Sequence, residues 1–104
     1  MDRLELYNRI SRSLASVHGR RFHGVVVFGS EANGTSKEDS DVDLLVLLEG
    51  PIELWKDTRT SVAAVYDIQL EMGRPIHPIP VDKDTYDSGK CALYRTAKKE
   101  GIAV

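Results

Sequence analysis

The sequence predicts a small α/β or α+β domain, a mixed sheet flanked by helices, on three observations. Two short apolar runs, residues 25–28 and 42–48, are continuous rather than alternating and rich in valine and leucine, as suits strands covered on both faces. Stretches with helical spacing stand before and after the two apolar runs. Gly19, Gly50-Pro51 and Gly73 punctuate the boundaries.

In chain order, residues 2–18 place Leu6, Tyr7, Ile10, Leu14 and Val17 on one helical face. Asp2 and Glu5 have the spacing of a capping box, and Gly19 is a stop. The first strand follows at 25–28. Residues 29–40 are mostly small or polar, with room for a turn and a short helix, and the second strand runs through 42–48. Leu54, Val62, Val65 and Met72 recur at helical spacing up to Gly73, a long helix into which Trp55 and Tyr66 fit by packing. Three prolines in residues 75–81 rule out a central strand along the whole length and permit an edge or irregular one. Residues 88–100 read as a last helix, with Leu93, Tyr94 and Ala97 inward and Lys98 and Lys99 near its C-terminus.

At 104 residues the chain has the length of one domain, 1–104. Its 41% hydrophobic and 29% charged residues are those of a folded soluble protein. A formal net charge of -2 supplies no basic field, so nucleic acid is disfavoured as the main partner. The single cysteine, Cys91, cannot close an intramolecular disulfide. The charged N-terminus is unlike a signal peptide, and no apolar run reaches the ~20 residues of a membrane span. These features place the chain in the cytoplasm as an expectation. His18 and His23, beside Arg20 and Arg21, read as a surface cluster.

The chemistry sits between the first two strands. Gly29 and Gly34 have the spacing of a P-loop, but Thr35 stands where its lysine belongs. Asp39, Asp41 and Asp43 begin like a calcium loop, yet Leu44 and Gly50 occupy the glycine and glutamate slots. A dinucleotide fingerprint needs G-x-G-x-x-G, and the chain offers G-S-E-A-N-G. What remains is a tight turn, Gly29-Ser30, able to present backbone N–H groups and a hydroxyl to a phosphate. On the next strand Asp41 and Asp43 are two residues apart, so both carboxylates point to one face. Like charges held together are costly without a cation. Magnesium suits such a pair, since substrate phosphates complete its shell. Either feature alone is ordinary turn chemistry; together they predict a metal-triphosphate site.

Gly29-Ser30, ten residues, then Asp41-Val42-Asp43 and a leucine-rich strand resembles the minimal nucleotidyltransferases of the DNA polymerase beta superfamily. The closing L-Y-R-T-A-K-K-E-G-I is similar to that family's last helix, so the resemblance covers most of the chain. It implies that Gly29 and Ser30 hold the triphosphate of ATP, and that Asp41 and Asp43 bind two Mg2+ ions and are the catalytic acids. It also implies a HEPN-domain toxin as partner, to which the nucleotidyltransferase, as antitoxin, transfers AMP. Two positions depart from the family pattern: Glu31 stands where arginine is usual, and His77 where active members have a third carboxylate. Asp67, Glu71, Asp82 and Asp84 read as solvated surface, and Lys37 and Arg74 are the nearest counter-charges for a phosphate. A second reading follows from Glu31 and His77: an inactive binding module that neutralises a partner by contact. A third, nucleotide addition to RNA or antibiotics, is disfavoured by the acidic chain. A homo-oligomer or a complex is expected if the long or last helix keeps an exposed apolar face.

Overall fold

The computed structural model describes residues 2–34 and 40–104, apart from the side chains of Ser30 and Asn33. The elements run α1 (Arg3–His18), a 3-10 turn (Gly19–Arg21), β1 (Phe22–Phe28), α2 (Ser30–Asn33), β2 (Val42–Leu48), α3 (Leu54–Met72), β3 (Ile76–Asp82), α4 (Lys83–Ser88), α5 (Ala92–Glu100) and β4 (Ile102–Ala103). The four strands form one mixed sheet in the order β3-β2-β1-β4. β1 is antiparallel to both β2 and β4, and β2 is parallel to β3. This is the nucleotidyltransferase-like α/β arrangement that the sequence predicts.

The central strands are buried on both faces because each face carries its own apolar layer. Val25, Val27, Val42, Leu44, Val46 and Leu48 meet Leu6, Ile10 and Leu14 of α1 and Val65 and Ile68 of α3. The alternate residues Val26, Leu45 and Leu47 meet Val81, Tyr86 of α4 and Ala97 of α5. A fully buried leucine contributes about 1.5–3 kcal/mol. β2 therefore reads as an unbroken apolar run because both of its sides are core.

β3 lies at the sheet edge, as its prolines require. The Val42 N–H donates to the Pro75 carbonyl at 2.8 Å, and Val42 pairs with Ile76 in register. In that phase the backbone groups of His77, Ile79 and Val81 face β2, while those of Ile76, Pro78 and Pro80 face outward. Pro78 and Pro80 thus occupy positions where no sheet partner needs an N–H. The outward N–H of Ile76 donates to Gln69 Oε1 at 2.9 Å.

Helix ends follow local chemistry. Asp2 caps α1 by accepting from the Glu5 N–H at 2.8 Å. Asp82 caps α4 by accepting from the N–H groups of Asp84 and Thr85. The expected last helix, 88–100, forms as α5 but begins at Ala92; before it stands α4, a short helix outside that expectation, which ends at Gly89 in a left-handed conformation with φ 69°. Leu93 is exposed, as are Val17, Leu54, Trp55, Val62 and Tyr66, all of which the periodicity sets inward or in helix packing. In α1 the inward place falls to His18, four residues after Leu14, rather than to Val17.

His18 is therefore not part of a surface cluster. It is buried and hydrogen-bonded through Nε2 to Ser61 Oγ at 2.8 Å. Nearby, Arg21 grips the buried Asp57 with two bonds of 2.8 and 2.9 Å, which hold that carboxyl below its usual 3.8. Burial lowers the His18 imidazole below its usual 6.5; Asp57 opposes this and Arg21 adds to it. An imidazole kept neutral by the fold gives up stability when the unfolded chain can bind a proton that the native one resists. Its contribution is full above pH 6.5 and falls as the pH drops below that value. The melting temperature should accordingly fall between pH 7 and pH 5, and His18→Gln should flatten that slope in a thermal-melt series.

Candidate functional site

Three strand ends come together on the α4/α5 side of the sheet. Phe28, the last residue of β1, pairs with Asp43 of β2, and Asp43 pairs with His77 of β3. Strand alternation puts Asp43 and His77 on the face that continues through Leu45 and Leu47. Asp41, just before β2, is hydrogen-bonded to His77, Oδ2 to Nε2, at 3.1 Å. Both of these side chains are 55% exposed, whereas Asp43 is half-buried.

The turn after β1 is built on Gly29, whose φ of 72° lies in the left-handed region. A Cβ placed on Gly29 would stand 3.1 Å from Asp43 Oδ2. Glycine suits this place on two counts: the backbone angle is one that other residues rarely adopt, and a Cβ would crowd the Asp43 carboxylate. The turn and the acid are thus next to one another, although they are fourteen residues apart. Ser30 opens α2, a helix of four residues, and its side chain, Asp39 and Lys37 lie outside the described residues. Beside the turn, a cleft of about 240 Å³ is lined by Phe28, Gly29 and Ala32 on one side and by Leu93, Thr96 and Ala97 of α5 on the other.

Glu31 and Arg74 occupy positions that sequence reasoning does not anticipate. Glu31 is buried and faces away from the turn, accepting from the Tyr7 hydroxyl and from Arg74 Nη2. Arg3 Nε approaches the same carboxylate at 4.0 Å. Arg74, also buried, donates from Nε to the Ser40 carbonyl at 2.9 Å. One guanidinium thereby ties the residue after Ser30 to the residue before Asp41. The arginine is committed to this bridge and is not a counter-charge for a phosphate. Burial, then the hydrogen bond to Glu31, pushes the Tyr7 hydroxyl up to about 12, so it remains a donor at neutral pH. Tyr7 reads in the sequence only as part of an apolar helix face, and the pairing of Glu31 with Arg74 spans 43 residues without a local signal.

Among the described residues, the other acids that the sequence offers do not converge on the turn. Asp67 and Glu71 are exposed on α3, where Glu71 pairs with Arg9. Asp82 is occupied in capping α4, and Asp84 is exposed beyond it. Among the described residues no three His, Cys, Asp or Glu side chains form a metal-binding group. Asp41 and Asp43 still suit magnesium, which one or two carboxylates hold while phosphates and water fill the other positions. The open space in front of Asp43, which any Cβ at residue 29 would fill, fits that use.

A mixed sheet with a glycine turn set against an acid at the start of the next strand defines a nucleotidyltransferase fold. The sequence profile of the nucleotidyltransferase domain matches residues 19–104, and the chain belongs to that family. Among solved structures, the crystal structure of a toxin-antitoxin with AMP-PNP is similar to it, with a TM-score of 0.61 and 17% sequence identity. That likeness covers 93% of this chain and 70% of the other, and it speaks for the fold. No curated protein matches the sequence. No helix among the described residues is long and apolar enough to cross a membrane.

Proposed function

We propose that the chain is a minimal nucleotidyltransferase that binds Mg-ATP in the cytoplasm and transfers AMP to a hydroxyl of a protein partner, as antitoxin to a HEPN-domain toxin. The observation that carries this reading is the placement of Gly29, without a side chain, directly in front of Asp43. Family membership supports nucleotidyl transfer, and the toxin-antitoxin structure with AMP-PNP supports a nucleotide and a protein partner. In the reaction the acceptor oxygen bonds to the α-phosphorus of ATP, the bond to pyrophosphate breaks, and the hydroxyl proton is lost to water. Asp41 and Asp43 would hold magnesium, which supplies positive charge against the triphosphate and the leaving pyrophosphate. Gly29 and Ser30 would take the phosphates on the turn, and Arg74 and Glu31 would keep that turn in register with Asp41.

The contact between His77 and Asp41 favours a second reading. Imidazole is a poor magnesium ligand, so a site with His77 in the third position is suited to one ion rather than two. On that reading the chain binds its partner and retains the pocket without turnover. Calorimetric titration of ATP, with and without magnesium, into the protein and into an Asp41→Asn, Asp43→Asn double variant tests the pocket. Magnesium-dependent binding that the variant loses, together with a partner that gains the mass of AMP, is the expected result. Absence of binding in both proteins would leave only the second reading.

A further inference from the structure

The helix α3 is apolar on two opposite faces. Val65 and Ile68 lie in the core. At 100° per residue, Trp55, Val62, Ala63, Tyr66 and Leu70 fall within about one quadrant on the other side, interrupted only by Arg59. Trp55 is 81% exposed and Leu70 62% exposed. The stripe is about 22 Å long at 1.5 Å per residue. At its N-terminal end it continues into an apolar groove of about 360 Å³ lined by Leu54, Trp55, Thr58, Pro78, Ile79 and Pro80. A helix with apolar residues on both faces is expected to be covered on both.

The charges on α3 indicate what covers it. The outward cations Lys56 and Arg59 stand in its first half and the outward Asp67 in its second, while Glu71 is held by Arg9 of α1 and the first-turn Asp57 turns inward to Arg21. On this outer face that order opposes the helix macrodipole, which favours acids at the start and cations at the end. A second α3 running antiparallel supplies the compensation, since each basic half then lies beside an acidic half. We propose that this face is the interface of a two-fold dimer of the chain, with α3 packed antiparallel against α3. A two-fold axis between Val62 and Ala63 places Trp55 against the second copy's Leu70, and Arg59 over the second copy's Tyr66. The lone cation in the stripe thereby gains an aromatic face. On the flank, Lys56 lies near the second copy's Asp67. Strand addition at β3 is no alternative, because Pro78 and Pro80 remove the outward donors and Gln69 takes that of Ile76.

The test uses the purified chain alone and does not depend on nucleotide. Sedimentation equilibrium at about 100 μM should give twice the monomer mass, in the range of a modest interface. Lys56→Glu, at an exposed position, should weaken dimerisation at least about tenfold with an unchanged circular dichroism spectrum. Adding Asp67→Lys to that variant should restore it. On a Cys91→Ser background, Val62→Cys should form a disulfide-linked dimer under mild oxidation, and Arg12→Cys on α1 should not. A monomer at every concentration overturns the proposal, as does equal cross-linking at both positions. So does protection of this face only when a different protein is added.

Discussion

Arg74→Ala should destabilise the fold by about 3–5 kcal/mol, because it takes from the buried Glu31 carboxylate the cation hydrogen-bonded to it and leaves Arg3, at 4.0 Å and more exposed, to offset the charge. The Glu31 side chain has no exposure to solvent and that of Arg74 has 9%, so water cannot replace the lost partner without local opening. For a domain of this size each kcal/mol lowers the melting temperature by roughly 4–8 °C, so a drop of more than about 12 °C is expected. The paired change Glu31→Gln, Arg74→Met should recover much of the loss, since it removes both charges together. Thermal melts of the two variants decide the matter; a loss under about 1 kcal/mol in Arg74→Ala would mean that Glu31 is solvated in solution. The bond from Arg74 to the Ser40 carbonyl is lost as well, so on the proposed function the surviving fold should bind nucleotide less tightly even at low temperature.

The second large effect concerns the reaction. Asp43→Asn keeps the size of the side chain and removes the charge, so the fold should tolerate it while the proposed AMP transfer falls about 10³-fold, or about 4 kcal/mol in the barrier. His77→Asp should act in the opposite direction. It replaces the imidazole at the Asp41 contact with a third carboxylate, and magnesium-dependent ATP binding should tighten by about tenfold. Single-turnover transfer and calorimetry with both variants separate the two readings of the protein. Weaker binding in His77→Asp, with full activity in the unaltered chain, would show that the imidazole itself takes part.

Much of the fold was legible because each main element carries its own signal. Continuous valine and leucine in β1 and β2 announce strands with core on both faces, and the prolines of β3 announce an edge. The glycine turn and the paired acids were legible as a pattern, and the structure sets Gly29 beside Asp43. The parts that escaped depend on contacts between distant residues. Nothing local in the sequence says that Glu31 turns inward, because its partners Tyr7 and Arg74 are 24 and 43 residues away. His18 reads as one of several basic residues until Ser61 is placed against it. The two residues of β4 are too few to give a period, and they form a strand only by pairing with Val26 and Val27. In α3 the period was correct, but two apolar faces leave the choice of the inner one to the sheet.

The prolines of β3 have an outcome beyond their place in the sheet. Fibres grow when one chain's free edge hydrogen-bonds the next, and that route needs a row of available amides. From Ile76 to Pro80 the outward edge offers none, while the opposite edge, β4, is two residues long. In a crowded solution neither edge among the described residues offers a long row of amides, so the joining of sheet to sheet between copies is disfavoured at both.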